Sequence, residues 1–300
     1  MSTQQTAKTQ YVQAPNGAKY AYRRIGAATG TPLLCLGHFR STMDHWDPLL
    51  INAIAARRNV ILYDYPGAGR STGQVASTIR QMAADVHTFL SLIGVAEVDV
   101  LGFSIGGMVT QLVGLNAPST INVRKLVLCG TGPSAGPESV PTPNMAGVLE
   151  YSGAKHMELP QMRILFFPMT KEGEYAAQGY WERIHERGVE SSGEEHVKFL
   201  SDGLTDGGDG MNTMRNGITE FFTPETSQGL NGSYDRLADL KMPVLVANGH
   251  NDYMLPTVNS WVIQQKVPNG TLIVYPRSGH GFLFHFPTQF GRDVLNFLES

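Results

Sequence analysis

Residues 98–107 read Val98-Asp99-Val100-Leu101-Gly102-Phe103-Ser104-Ile105-Gly106-Gly107. The first six are nearly continuous apolar sequence, as a strand covered on both faces requires. Residues 105–116 then carry apolar side chains that suit a buried helix. A serine at a sharp strand-to-helix turn has its hydroxyl pushed out at the carboxyl end of the sheet, and glycines two residues away on either side clear room for it. The Gly-x-Ser-x-Gly pattern alone is weak, because the chain contains it three times, around Ser71, Ser104 and Ser134. Context separates them. Ser71 lies in a glycine-rich loop several residues past its strand, and Ser134 sits between Pro133 and Pro137 with no helix behind it. Ser104 alone has the strand, the turn and the helix, and is the candidate nucleophile.

Working outward, apolar runs at 19–25, 32–36, 60–65, 98–103, 125–129, 244–248 and 272–275 read as strands. Amphipathic segments lie between them. The clearest is 77–94, where Ile79, Met82, Ala83, Val86, Phe89, Leu90 and Ile93 share a face, Ser77 can cap the start and Gly94 follows the end. This alternation predicts a mostly parallel sheet with helices on both sides. Ala14-Pro15-Asn16-Gly17 reads as a hairpin turn between antiparallel edge strands. The rhythm stops after Gly130 and resumes at Met242-Pro243-Val244. Residues 133–235 are therefore expected to form a helical cap inserted into a core built from 1–132 and 236–300. The acidic, glycine-rich segment 201–210 lacks the ligand spacing of a calcium loop and reads as a solvated loop.

An isolated serine hydroxyl is a poor nucleophile until a base takes its proton. In hydrolases built on this turn, the acid and then the base follow the serine in the chain, each just past a strand. Asp252 follows the strand at 244–248, and His280 follows the last strand between two glycines. His285 is a rival base beyond that turn. The other seven histidines precede Asp252. The negative oxygen formed during acyl transfer needs backbone donors, expected from the N–H of Ile105 and, in the loop after the 32–36 strand, of Phe39. His38 beside it reads as structural or as part of the substrate pocket. Phe103 and the cap residues Met162, Phe166, Trp181 and Phe221 complete that expected pocket. It should favour apolar or aromatic groups over charged ones.

The chain has 300 residues, 42% of them hydrophobic and 16% charged, with a net charge of −3. That composition suits a globular enzyme and gives no basic surface for nucleic acid or anionic membrane. No stretch of about 18 apolar residues is present to span a bilayer, so a cytoplasmic protein with a small-molecule partner is expected. Cys35 and Cys129 lie in apolar runs and read as buried free thiols. No metal-ligand spacing is present, and neither a metal nor a cofactor is expected.

The chain resembles the α/β-hydrolase superfamily through Gly37-His38-Phe39, Asp64-Tyr65-Pro66-Gly67-Ala68-Gly69-Arg70-Ser71, and segments 102–107, 249–256 and 278–282. The resemblance implies the α/β-hydrolase fold, a mostly parallel eight-stranded sheet flanked by helices with a helical cap after the sixth strand. It also implies that Asp64 and its turn are structural. Ser104 departs from the aspartate nucleophile of epoxide hydrolases and haloalkane dehalogenases. Cys129-Gly130-Thr131-Gly132 holds no acid where zearalenone-type lactonases place a glutamate. The usual His-Gly order before the oxyanion residue is reversed here as Gly37-His38. The function implied is serine-dependent hydrolysis of an ester or lactone. Carbon–carbon hydrolysis or a cofactor-free perhydrolase reaction on the same triad stays open, as does a ligand sensor with a slow triad.

Overall fold

The computed structural model describes residues 2–27 and 29–300. Eight strands form one sheet: β1 (Gln10–Gln13), β2 (Lys19–Ile25), β3 (Leu33–Leu36), β4 (Val60–Tyr63), β5 (Glu97–Phe103), β6 (Asn122–Cys129), β7 (Val244–Gly249) and β8 (Gly270–Tyr275). Their spatial order is β1-β2-β4-β3-β5-β6-β7-β8. β1 and β2 are antiparallel to each other, β2 is antiparallel to β4, and every later pairing is parallel. The expected hairpin is present. The Ala14 N–H donates to Ala18 O at 2.7 Å, and Gly17 takes the φ of +88° that such a turn requires.

The central strands alternate between two apolar cores, one on each face of the sheet. Leu33, Cys35, Leu101, Phe103 and Cys129 belong to one, and Leu34, Leu36, Val98, Val100 and Leu128 to the other. Helices α1 (Pro48–Ala55), α2 (Ile79–Leu92) and α3 (Ile105–Leu115) follow β3, β4 and β5. The N-cap of α2 is Thr78 rather than Ser77; its hydroxyl accepts from the Gln81 N–H at 3.0 Å. The cap sits one residue later because Ile79 is the first residue to turn its side chain into the core. Both cysteines are buried and free, and burial pushes both thiols up.

Between β6 and β7 lie α4 (Met145–Ser152), α5 (Leu159–Phe166), α6 (Lys171–Ile184), α7 (Val189–Ser192) and α8 (Asp209–Phe221), with no strand among the described residues. α9 (Thr257–Lys266), α10 (Phe282–His285) and α11 (Pro287–Glu299) complete the chain. The glycine-rich segment is closed on itself. The Asp206 carboxylate accepts from Gly208 N–H, Gly210 N–H and Ser201 Oγ, and α8 begins at Asp209.

The insertion is moored to the sheet by buried charge. Arg187 Nη2 reaches Glu194 at 2.8 Å and Arg187 Nε reaches Asp44 at 3.3 Å, while Arg23 pairs with the same Asp44. Arg23, Asp44 and Arg187 side chains are wholly buried. Arg183 on α6 grips Asp47, the N-cap of α1, with bonds of 2.8 and 2.6 Å. Among the described residues no helix is long and apolar enough to cross a membrane.

Candidate active site

Ser104 joins β5 to α3 with φ 61° and ψ −120°, a conformation rare for a residue with a Cβ. Its surroundings hold it there. The Ser104 N–H donates to Cys129 O at 2.9 Å, and its carbonyl accepts from the Gly107 N–H at 2.9 Å. The flanking glycines are required by contact. A Cβ on Gly102 would fall 2.1 Å from Gly106 O, and one on Gly106 would fall 2.1 Å from Leu36 O. That second approach sets the first turn of α3 against the end of β3. Among the described residues neither the Ile105 N–H nor the Phe39 N–H donates to a protein acceptor, so both proposed oxyanion donors are free.

The other two serines have spent their hydroxyls. Ser71 Oγ donates to Asp64 O at 2.7 Å and accepts from the Ala21 N–H at 2.8 Å. Ser134 Oγ accepts from the N–H groups of Ser233 and Tyr234 at 2.9 and 3.0 Å. Asp64 accepts from the Met43 and Arg70 N–H groups, a bracing position, with its carboxyl raised to about 6 by burial.

Asp252 follows β7 in a turn whose Met254 and Leu255 N–H groups donate to its Oδ1 at 2.8 Å each. Its Oδ2 accepts from His280 Nδ1 at 2.8 Å, and both side chains are buried. The loops that carry them touch: a Cβ on Gly249 would lie 2.1 Å from Gly279 O. The glycines beside His280 admit α5, since a Cβ on Gly281 would meet Phe166 Cβ at 2.7 Å and the Gly281 N–H donates to Phe166 O at 2.7 Å. With Nδ1 donating to Asp252, His280 Nε2 is left as the acceptor, and it is buried with no protein partner. Ser104 and His280 both border the Cys129–Gly130 step, where a Cβ on Gly130 would lie 3.3 Å from His280 Nδ1. No Ser104 Oγ–His280 hydrogen bond is closed among the described residues; such bonds commonly tighten only around a substrate. His285 has no carboxylate partner and stacks on Phe286 at 4.5 Å.

A cavity of about 420 Å³ opens over Ser104, walled by Phe39, Met108, Met145, Phe222, Met254 and Leu255 among others. The six pocket residues expected from sequence do not line it. His38, Phe103 and Phe166 form an aromatic cluster behind the His280 ring, with Phe103 and Phe166 centroids 4.9 and 5.4 Å from it. Burial outweighs the bond from His38 Nδ1 to Phe39 O and pushes its imidazole down to about 3, so it is a neutral packing residue. Met162 is wholly buried in the same layer. Phe221 is buried against the sheet, and its neighbour Phe222 faces the cavity instead, because successive helical residues point about 100° apart. Trp181 lines a separate cavity of about 180 Å³ with His45, His185 and His196. A larger cleft of about 810 Å³ does not reach Ser104; it shares Thr142, Met145, Phe222 and Leu255 with the first cavity and adjoins it. Sequence reading also missed Arg215, the one charged residue on the Ser104 cavity wall. Its signal was faint: Arg215, Ile218, Thr219 and Phe222 share a face of α8 only once that helix is known to start at Asp209.

Among the described residues no group of three or more His, Cys, Asp or Glu side chains is arranged to hold a metal ion. The chain is 26% identical to a protein named "Putative carbamate hydrolase RutD" from Azorhizobium caulinodans, covering 95% of this chain and 97% of that one. It is 25% identical to a non-heme haloperoxidase from Rhodococcus erythropolis, covering 97% and 99%. A solved alpha/beta hydrolase fold protein from Chitinophaga pinensis superposes with a TM-score of 0.86 at 27% identity, covering 100% of both chains. The profile of the alpha/beta hydrolase family matches residues 33–292, and this chain belongs to that family.

Proposed function

We propose that the protein hydrolyses a carboxylic ester or lactone of a small molecule through an acyl-enzyme on Ser104, beneath a cap formed by residues 133–235. The observation that carries this reading is the 2.8 Å His280–Asp252 bond, which leaves Nε2 as an acceptor without a protein partner, together with the strained turn at Ser104, whose hydroxyl makes no cap bond. Ser104 Oγ attacks the acyl carbon as its proton passes to His280 Nε2. The oxyanion is met by the N–H groups of Phe39 and Ile105. On collapse the bond to the leaving oxygen breaks and His280 returns the proton to it. Water then repeats the sequence, releasing the acid. Asp252 holds the imidazole tautomer and offsets its positive charge. The mostly apolar cavity walls support an acyl group with an apolar carbon chain.

The relative named a haloperoxidase favours a second reaction on the same residues, with hydrogen peroxide in place of water at the acyl-enzyme to give a peracid. Nitrophenyl esters provide the test. Burst release of nitrophenol and an acyl adduct on the Ser104 peptide are expected. Bound ester with no turnover would indicate a sensor, and cleavage without an adduct would remove the acyl-enzyme.

A further inference from the structure

We propose that Arg215 binds a carboxylate on the acyl part of the substrate, so that the ester cleaved at Ser104 is a half-ester of a dicarboxylic acid or a lactone bearing a carboxylate. This rests on the ester reading above and narrows it.

Arg215 projects from α8 into the Ser104 cavity beside Ile218, Thr219 and Phe222. Every other wall residue is uncharged. Arg215 Nη1 donates to the neutral Asn212 Oδ1 at 3.1 Å, Nη2 is packed beside Gly153 at the end of α4 with no hydrogen-bond partner, and no ion pair to a carboxylate is formed among the described residues. Burial lowers its pKa and no acidic neighbour offsets that effect. The nearest arginine makes the contrast plain. Arg40 is also buried, but its guanidinium donates to the carbonyls of Leu200, Ser152 and Ala154 at 2.8, 3.0 and 2.8 Å. Those carbonyls include the negative end of α4. Arg40 is thereby spent on the scaffold, whereas Arg215 has donors left over. A partly desolvated guanidinium without a partner is costly to keep, and its planar donor pair matches a carboxylate.

Its position also tells which half of the substrate it reads. Arg215 lies over the Phe39 ring, with Cζ 5.8 Å from the centroid, on the loop that supplies an oxyanion donor. It belongs to the Ser104 cavity and not to the adjoining cleft. The cleft gives the departing alcohol a way out past Thr142, Met145, Phe222 and Leu255. The half that stays on Ser104 is the acyl half, and that is the half left facing Arg215.

The test compares mono-p-nitrophenyl esters of adipic, pimelic and suberic acids with the same esters ending in a primary amide. For at least one chain length the wild-type kcat/KM should favour the carboxylate by about tenfold or more, carried mainly by KM. Arg215→Met should bring that ratio to about one or below, and Arg215→Lys should retain part of it. Arg215→Gln replaces the Met variant if the latter does not fold. A wild-type ratio near one at every length, or a ratio that survives Arg215→Met, overturns the proposal. Should the wild type cleave none of these esters, the ester reading fails, and calorimetry with adipate and suberate decides the anchor. Binding lost in Arg215→Met supports it; binding equal in both proteins, or absent from both, overturns it.

Discussion

Ser134 and Ser233, 99 residues apart, hold each other in both directions: the Ser134 N–H donates to Ser233 Oγ at 3.0 Å and the Ser233 N–H donates to Ser134 Oγ at 2.9 Å. Ser233 Oγ also donates to Gln111 Oε1 at 2.8 Å, and Gln111 Nε2 donates to Gly132 O at 3.0 Å. The two ends of the insertion are thus clasped to each other and to α3. Ser134→Ala leaves the buried N–H groups of Ser233 and Tyr234 without their acceptor, at about 1–3 kcal/mol each. Thermal unfolding should show the loss, while a fluorophosphonate probe should still label the Ser104 peptide. Label lost with a native fold would return Ser134 to the catalytic role.

Ser104 carries a different balance. Ser104→Ala should abolish turnover and keep the strained backbone with its Cβ. Ser104→Gly should be equally inactive yet more stable than the alanine variant by about 1 kcal/mol, because glycine relieves the positive φ. Chemical denaturation of the pair measures this, and an alanine variant as stable as the glycine one would mean the turn is not strained.

The His280–Asp252 pair should act as a unit with the nucleophile. His280→Ala is expected to lower kcat/KM by about 10³-fold or more, and Asp252→Asn by a comparable factor through the wrong tautomer. His285→Ala should stay within about threefold of wild type, a surface-like change for a residue without a carboxylate partner. Reversal of the two histidine results would move the base to α10.

Arg40 has φ 64° immediately after Phe39 and pins three carbonyls of the insertion. Arg40→Met should destabilise the fold by about 3–5 kcal/mol, since buried carbonyls lose a charged donor. If the variant remains folded, kcat should fall more than KM rises, because the Phe39 N–H loses its position. An unchanged kcat would separate Arg40 from the oxyanion loop.

Two buried imidazoles, His38 and His45, and the half-buried His196 should make the fold acid-sensitive. Burial, aided by neighbouring positive groups, holds His45 well below its ordinary value; burial brings His196 to about 4 and His38 to about 3. Each therefore binds its proton more weakly folded than unfolded. The stability they preserve is complete above about pH 6.5 and is lost progressively as pH falls through the folded values. Urea midpoints should drop between about pH 7 and about pH 4.5, and His38→Gln with His196→Gln should flatten that dependence. A slope unaltered by the double substitution would assign it to His45 or to carboxylates.

The sheet and the pairing of Asp252 with His280 were legible because their signals are local. A buried strand is an apolar run, and the glycines around Ser104 and His280 stand next to the residues they make room for. β1 was not legible as a run, since Gln10-Tyr11-Val12-Gln13 is an edge strand with only half-buried Val12 turned inward. The cavity wall was not legible either. Phe221 and Phe222 are identical neighbours, and only the rotation of α8 against α2 decides which one faces Ser104. Trp181 looked like a substrate contact by composition, but α6 turns it towards the His45–His196 cavity on another side of the insertion. An expected aversion to charge followed from the aromatic and methionine content of the insertion. The one arginine on the cavity wall left no mark in that content.

The lattice of wholly buried Arg23, Asp44 and Arg187, closed by the partly exposed Glu194, has a consequence for salt dependence. Ion pairs on a surface weaken as salt rises, but charges sealed from solvent are screened far less. An insertion fastened by such pairs should keep its place on the sheet across a wide range of ionic strength. The ratio of slim to bulky neutral esters consumed should therefore be the same in dilute buffer as in concentrated salt.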